Sequence, residues 1–358
     1  MIPNETSLSP FQRLVNLLSN ERKDIGYIYF YAIAVGLISL ILPLGVQAIF
    51  NLVKTGSVFS SVYLLMSLVI IGLLASGVMQ IVQVSIVEVL QKRIFAKAAF
   101  EFSYRLPRVK TEALLNSHPP ELMNRFFDVL TIQKALPKFL IDITAAALQI
   151  LFGLLLLSFY HPFFIAFGLI VVFGLIVMVR LRGKKGLETS IQESKYKYKV
   201  VQWLEDIAGS VQAFKLAGNT PLPIQKMDEL VGSYLSYRSK HFKILKEFYV
   251  YALVFKTIII GGLLILGTYL LVNLQISLGQ FVASEIIIVL LTGAVEKLIL
   301  SIDIIFDLLT AVDKIGHVTD LPSERDNGHS LPTDVLKQGL AVKVANPATN
   351  IPMQPRQH

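Results

Sequence analysis

The chain alternates between long apolar runs and long charged ones. Six apolar runs carry few charges: about Ile25–Phe50, Ser61–Val87, Phe139–Tyr160, Pro162–Val179, Phe248–Val272 and Leu278–Leu300. Stretches of roughly 20 apolar residues have the length of a helix that crosses the hydrocarbon core of a bilayer. The runs are apolar on every side, as in "LQILFGLLLLSF". Barrel strands alternate apolar and polar residues over about ten positions, so a membrane barrel is excluded. The pattern predicts an all-α membrane protein with six long transmembrane helices.

The connections between the runs differ sharply in length. Those after the second and fourth runs span residues 88–138 and 180–247, whereas "NLQIS" joins the fifth and sixth. The long ones are not flexible linkers, which are rich in Gly, Ser and Pro. From the second run onward no proline occurs until Pro107, and Glu88/Lys92, Lys97/Glu101 and Glu101/Arg105 fall four residues apart. Such pairs are neighbours on one helical face. At 1.5 Å per residue, a helix over residues 61–106 would reach roughly 70 Å, about twice the hydrocarbon thickness. The chain then turns near "NSHPPE" and returns through "NRFFDVLTIQKALPKFL", with Pro137 expected to kink it near the membrane. The second connection repeats the plan, turning around Gly209 and breaking again at Pro221 and Pro223. "KYKYK" (Lys195–Lys199) has the period of a strand, but its helix-forming flanks place it on a helix. The organisation expected is therefore a polar N-terminal segment 1–24, a six-helix unit 25–320 with helical hairpins about 88–138 and 180–247, and a disordered tail 321–358.

Composition fixes the topology. The sequence is 54% hydrophobic and only 16% charged, with a net charge of +8 and a mean hydropathy of +0.61. The Lys and Arg residues concentrate in the two long connections, while the short ones hold only Lys54 and His161 among basic residues. Basic loops stay in the cytoplasm, which puts both hairpins and both termini inside and gives the positive charge a role at lipid headgroups. A nucleic-acid partner is not expected. No short apolar core with a small-residue cleavage site opens the chain, so the first run is read as a retained span. Without cysteine there is no disulfide, thiolate site or lipidated thiol.

Catalytic motifs are missing from the sequence. There is no "GxxxxGK[ST]" phosphate loop, no "HExxH" and no "GxSxG" elbow, and the six histidines share no metal-ligand spacing. No enzymatic activity, metal or cofactor is expected on this chain. Charges inside the spans are the remaining chemical signal, because each is costly there. Lys256 lies in "YALVFKTIIIGG", Glu285 in "FVASEIIIVL" and Glu296 near the end of the sixth run. Counted from the outer loop, Lys256 and Glu296 are nearly level. They either face one another or a wet cavity, or Lys256 snorkels to the headgroups. Gln80, Gln83, Gln149 and Glu285 either line a polar path or bond neighbouring helices. Gly261, Gly262 and Gly267 are expected to permit close helix packing, and Trp203 to pack at a helix end.

Four segments carry a resemblance to the transmembrane half of ABC exporters, the type I exporter fold. "LLNSHPPELMNRFFDVLTIQKAL" resembles the first intracellular hairpin and "QWLEDIAGSVQAFKLAGNT" the second. "ISLGQFVASEIIIVLLTGAV" resembles the start of the sixth span, and "LLTAVDKIGHVTDLPSE" the exit that joins the nucleotide-binding domain. The likeness covers about residues 20–324 and is nearest to bacterial peptide and protein exporters. It implies transverse coupling helices at the hairpin tips that dock into grooves of ATPase domains. Around the first tip the implied contact residues are Ser117, Pro119, Glu121, Leu122 and Arg125. Around the second they are Glu205, Ile207, Gly209, Val211 and Phe214. The sequence departs from the family layout after the sixth span. "GLAVKVANPATN" resembles the first strand of an ATPase domain, but no Walker residue has a counterpart here.

The resemblance therefore implies the membrane subunit of an ATP-driven exporter in a bacterial inner membrane. It would dimerise with a second transmembrane half and work with a nucleotide-binding ATPase subunit that holds ATP and Mg. Two alternatives remain: a truncated or degenerate half-transporter acting as scaffold or regulator of a full-length relative, and a six-span secondary carrier. The latter usually breaks helices at mid-membrane, and Pro43 is the only proline within a run rather than opening it.

Overall fold

The computed structural model describes residues 9–54, 59–114 and 119–324, with the side chains of Phe59, Pro119 and Pro120 outside the description. Every regular element among these residues is helical, and the one β contact is an isolated bridge between Val109 and Ser323.

The first element is one that the run pattern passes over. Helix α1 (Pro10–Ser19) opens with a capping box in which the Ser9 hydroxyl accepts from the Gln12 amide and the Gln12 side chain accepts from the Ser9 amide. Pro10 occupies its first position, where a missing N–H is harmless. Leu14 is buried, and Arg13 reaches Asp320 at 2.7 Å, which seats α1 on the last helix. Residues 9–20 of the N-terminal segment are thus docked. Glu21 accepts from both Arg93 and Lys97 and ties the segment a second time, to the second long helix.

The first apolar run is broken into α2 (Arg22–Ile38) and α3 (Ile41–Lys54). The cause is Pro43. It has no N–H to donate to the Ser39 carbonyl, and its ring crowds that group. The Leu44 amide resumes the ladder by donating to Leu40. Helix α4 (Phe59–Arg105) then runs unbroken for 47 residues, about 70 Å. It ends in a 3₁₀ turn at Leu106–Arg108, where Pro107 removes a donor. Short helices α5 (Thr111–Leu114) and α6 (Pro119–Asn124) form the tip of the first hairpin.

Helix α7 (Asp128–Pro137) returns from that tip. At Pro137 the ladder slips into a π-helical turn, Lys138–Ile143, before α8 (Thr144–Tyr160). His161 caps α9 (Pro162–Gly209), which stays helical for 48 residues, straight through "KYKYK". Helix α10 (Val211–Leu216) is the second tip, and α11 (Leu222–Val272) climbs back over 51 residues. A tight loop with Leu274 at φ +56° leads to α12 (Leu278–Leu300), started by a Ser277/Gln280 capping box. Ser301 turns its hydroxyl onto the Lys297 carbonyl and separates α12 from α13 (Ile302–Thr319). Back-bonding of this kind bends helices.

Among the described residues five helical stretches are long and apolar enough to cross a membrane: Arg22–Lys54, Ser60–Arg108, Glu121–Tyr160, Pro162–Gly209 and Leu222–Val272. The expected sixth, α12, is 23 residues long, about 35 Å, and much of it is buried among its neighbours. Two larger apolar cores and a small one near the first tip result. One of the larger pair gathers α8, α9, α11 and α12 around Leu157, Phe164, Ile259, Leu263 and Leu291. The other joins α1, α2, α4, α7 and α13 around Leu14, Ile28, Leu90, Leu136 and Leu308. Leu321–Glu324, expected to begin a disordered tail, are instead held against the first hairpin. The Lys110 amide donates to Pro322 (3.0 Å) and the Glu324 amide to Arg108 (2.7 Å). The rest of the expected tail, residues 325–358, lies outside the described residues.

Candidate functional site

The two hairpin tips meet. The Asn124 side-chain amide, at the end of α6, donates to the Glu205 carboxylate near the end of α9. Glu205 lies 26 residues beyond Val179, about 39 Å down the helix, so the contact is far from any bilayer.

In the first tip, Glu121 and Arg125 pair at 3.0 Å across one helical turn. The Arg125 Nε and the Glu205 Oε2 are buried with no partner among the described residues. Leu122, implied as a partner contact, faces inward. It is buried with Phe102 and Val318, because an apolar side chain on a short amphipathic helix finds the chain's own core first. Its role is to seat the tip. Met123 and Phe127 are the exposed apolar residues there. Ser117 lies outside the described residues, and of Pro119 only its place at the start of α6 is described.

In the second tip, α9 ends at Gly209, and Ser210 leaves the helical region at φ −116°. Trp203 locks the turn. Its indole N–H donates to the Pro223 carbonyl at 3.1 Å, the Lys226 ammonium sits 3.8 Å over its ring, and Phe214 meets it edge-on. Ile207 is half-buried and Val211 exposed. Leu204, Leu216, Leu222 and Ile224 are also exposed, Leu216 to 89% and Ile224 to 75%. These apolar groups cluster around a turn tens of ångströms beyond the spans, where no lipid can cover them.

Asp128 and Tyr198 link the hairpins higher up. The Tyr198 hydroxyl donates to Asp128 Oδ2 at 2.6 Å, and Asp128 is 4% exposed. Burial pushes the Asp128 carboxyl above the usual carboxylate range, against the pull of the tyrosine hydrogen bond and of nearby Lys197 and Lys314. Burial and the facing carboxylate push the Tyr198 phenol up as well. His241, also buried, bridges Thr189 (2.9 Å) and Asp303 (3.3 Å). Sequence reasoning found neither link, since each joins residues 50 to 70 positions apart whose helical phases are unrelated.

The intramembrane charges divide into pairs and loners. Lys256 meets Glu296 at 2.8 Å, while the adjacent Lys297 reaches Asp142 of the π turn, also at 2.8 Å. Gln83 does not line an open path: it is buried, and its amide donates to the Ile28 carbonyl at 3.1 Å, joining α4 to α2. Gln80 is exposed and donates to Ser76 of its own helix. Glu285 is half-buried, with one carboxylate oxygen enclosed and unpartnered among the described residues. Gly262 and Gly267 do receive close neighbours, Phe167 and Phe281, but Gly261 faces open space. Among the described residues no group of three or more His, Asp or Glu is placed to hold a metal.

Long membrane helices carried past the bilayer into paired, ordered tips define a polytopic membrane protein of the transport class. A family model for the ABC transporter transmembrane region matches residues 25–295, and the chain belongs to that family. No curated protein matches it.

Proposed function

We propose that the chain is the membrane-spanning subunit of an ATP-driven exporter in a bacterial inner membrane, with both termini cytoplasmic. On this reading α12 is the sixth crossing, and two such halves dimerise around a substrate pathway. ATP and Mg are bound and hydrolysed on a separate ATPase subunit. The hairpin tips, α6 and the α9–α10 turn, are the contacts that carry its motion into the spans.

The observation that carries this reading is the exposed apolar cluster at the second tip. Leu204, Leu216, Leu222 and Ile224 lie too far from the bilayer for lipid, and they sit on a turn braced by Trp203 and tied to the first tip through Glu205. A braced tip with an apolar face suits a protein partner that pushes on it. Helices α4, α9 and α11, each unbroken from span to tip, suit the transmission of displacement.

The test is co-purification from the native host in mild detergent, followed by reconstitution with the ATPase recovered. Glu205→Lys places a cation against the Asn124 amide and removes the tie between the tips. ATP hydrolysis is expected to continue while transport falls. Full transport in that variant would refute the lever assignment, and recovery of no ATPase would refute the subunit assignment.

A further inference from the structure

Between the spans and the hairpin tips lies a polar cavity of about 480 Å³, bordered in part by the first tip. The first tip contributes Glu121 and Arg125, α9 a strip that includes Lys195 and Lys199, and α13 Asp313, Lys314 and His317. Charge does not balance there. Four cationic side chains face two carboxylates, and both carboxylates are engaged: Glu121 by Arg125 at 3.0 Å and Asp313 by His317 at 3.4 Å.

Lys314 is the unusual member. It is only 8% exposed, and among the described residues it has no hydrogen bond or ion pair. A largely buried lysine without an anionic partner is costly, and such groups are normally paired. Burial first, and the neighbouring Arg125 second, hold its ammonium below the ordinary lysine range despite the fields of Asp313, Asp128 and Glu121. Arg125 Nε is a buried donor with no partner among the described residues. Both groups border one cavity, with Lys195 and Lys199 exposed at its rim.

We propose that this cavity is a binding site for a soluble phosphate-bearing small molecule, with Lys314 and Arg125 as its inner donors. Arg and Lys around a recess suit a phosphate group, whose oxygens accept several charge-assisted hydrogen bonds at once. A bilayer headgroup does not reach it. The cavity begins at Ile191, 12 residues past Val179, about 18 Å along the helix, whereas headgroups extend only about 6 Å from the hydrocarbon on each side.

The site is tested on the full chain alone, so the result does not depend on the transport reading. Thermal unfolding is followed in phosphatidylcholine nanodiscs with inorganic phosphate, against chloride at equal ionic strength. Phosphate should raise the Tm of the natural chain and of Lys92→Met, an exposed control. It should leave Lys314→Met unmoved, and that variant should melt no lower than the natural chain without phosphate, since it removes an unpaired buried charge. Should Lys314→Met fail to fold, the rim double variant Lys195→Gln/Lys199→Gln serves: its phosphate Kd by calorimetry should rise about tenfold from loss of two charge-assisted contacts. No phosphate effect on the natural chain, an equal effect in Lys314→Met, or an unchanged Kd in the rim variant would overturn the proposal. So would stabilisation by phosphatidate in the nanodisc with none from inorganic phosphate.

Discussion

At the scale of single residues, the most constrained group is Asp128, a carboxyl buried against one phenol. Burial makes the folded state hold the Asp128 proton more tightly than the unfolded chain does. The stability it contributes is therefore fully present below the ordinary carboxylate pKa of about 4 and is lost as pH rises through its raised folded value. Asp128→Asn keeps an acceptor for Tyr198 and removes the charge. It should melt above the natural chain at about pH 8 and level with it at about pH 4, as read by thermal unfolding in detergent. Tyr198→Phe should destabilise by about 1–3 kcal/mol at neutral pH, because it strands a buried carboxylate. The Lys256–Glu296 contact was legible in the sequence for a simple reason. Both are charges set in apolar runs, and counting residues from one short loop sets their depth. Lys256→Glu should lower Tm and the swap Lys256→Glu/Glu296→Lys recover it, with a coupling of about 0.5–3 kcal/mol for residues in contact. A swap no better than the single change would refute the pair. Lys297–Asp142 escaped notice because Asp142 reaches its partner from a π turn, whose phase no 3.6-residue count supplies.

At the scale of elements, the long helices could be read from their hydropathy and their i, i+4 charge pairs, and their turns from proline. Pattern reading failed where an element is short or a run is internally broken. Helix α1 lies outside the apolar runs, although "SPFQ" carries a capping box, because its ten residues are too few and too polar to stand out by hydropathy. The division of α2 from α3 was hidden because both halves are equally apolar and only Pro43 marks the joint. Packing between elements was legible only at a few glycines and charges. Gly186 on α9 lies so close to α13 that an added Cβ would stand 2.3 Å from the Phe306 ring. Gly186→Ala should therefore cost about 1–3 kcal/mol by overpacking, and Phe306→Leu in the same chain should return part of it. Detergent melting curves of the two variants decide the matter.

At the scale of the molecule, a single chain leaves large apolar surfaces bare, and their positions sort them. Those on the spans, such as Leu73, Ile170 and Ile265, suit lipid, whereas Leu216 and Ile224 sit beyond its reach. Leu216→Ser with Ile224→Ser should leave Tm unchanged, because neither side chain is buried, yet abolish retention of a co-purifying ATPase. Retention at the natural level would sink the docking face. The most consequential feature is the smallest in extent. Successive residues of a helix point about 100° apart, and α12 uses one such step to grip two different neighbours, Glu296 holding α11 and Lys297 holding the third membrane segment. A spindle pinned on two sides resists spinning, since turning loosens both pins. Rotation of α12 would have to give up both contacts at once, so movement that carries its two neighbours along is favoured over spinning in place.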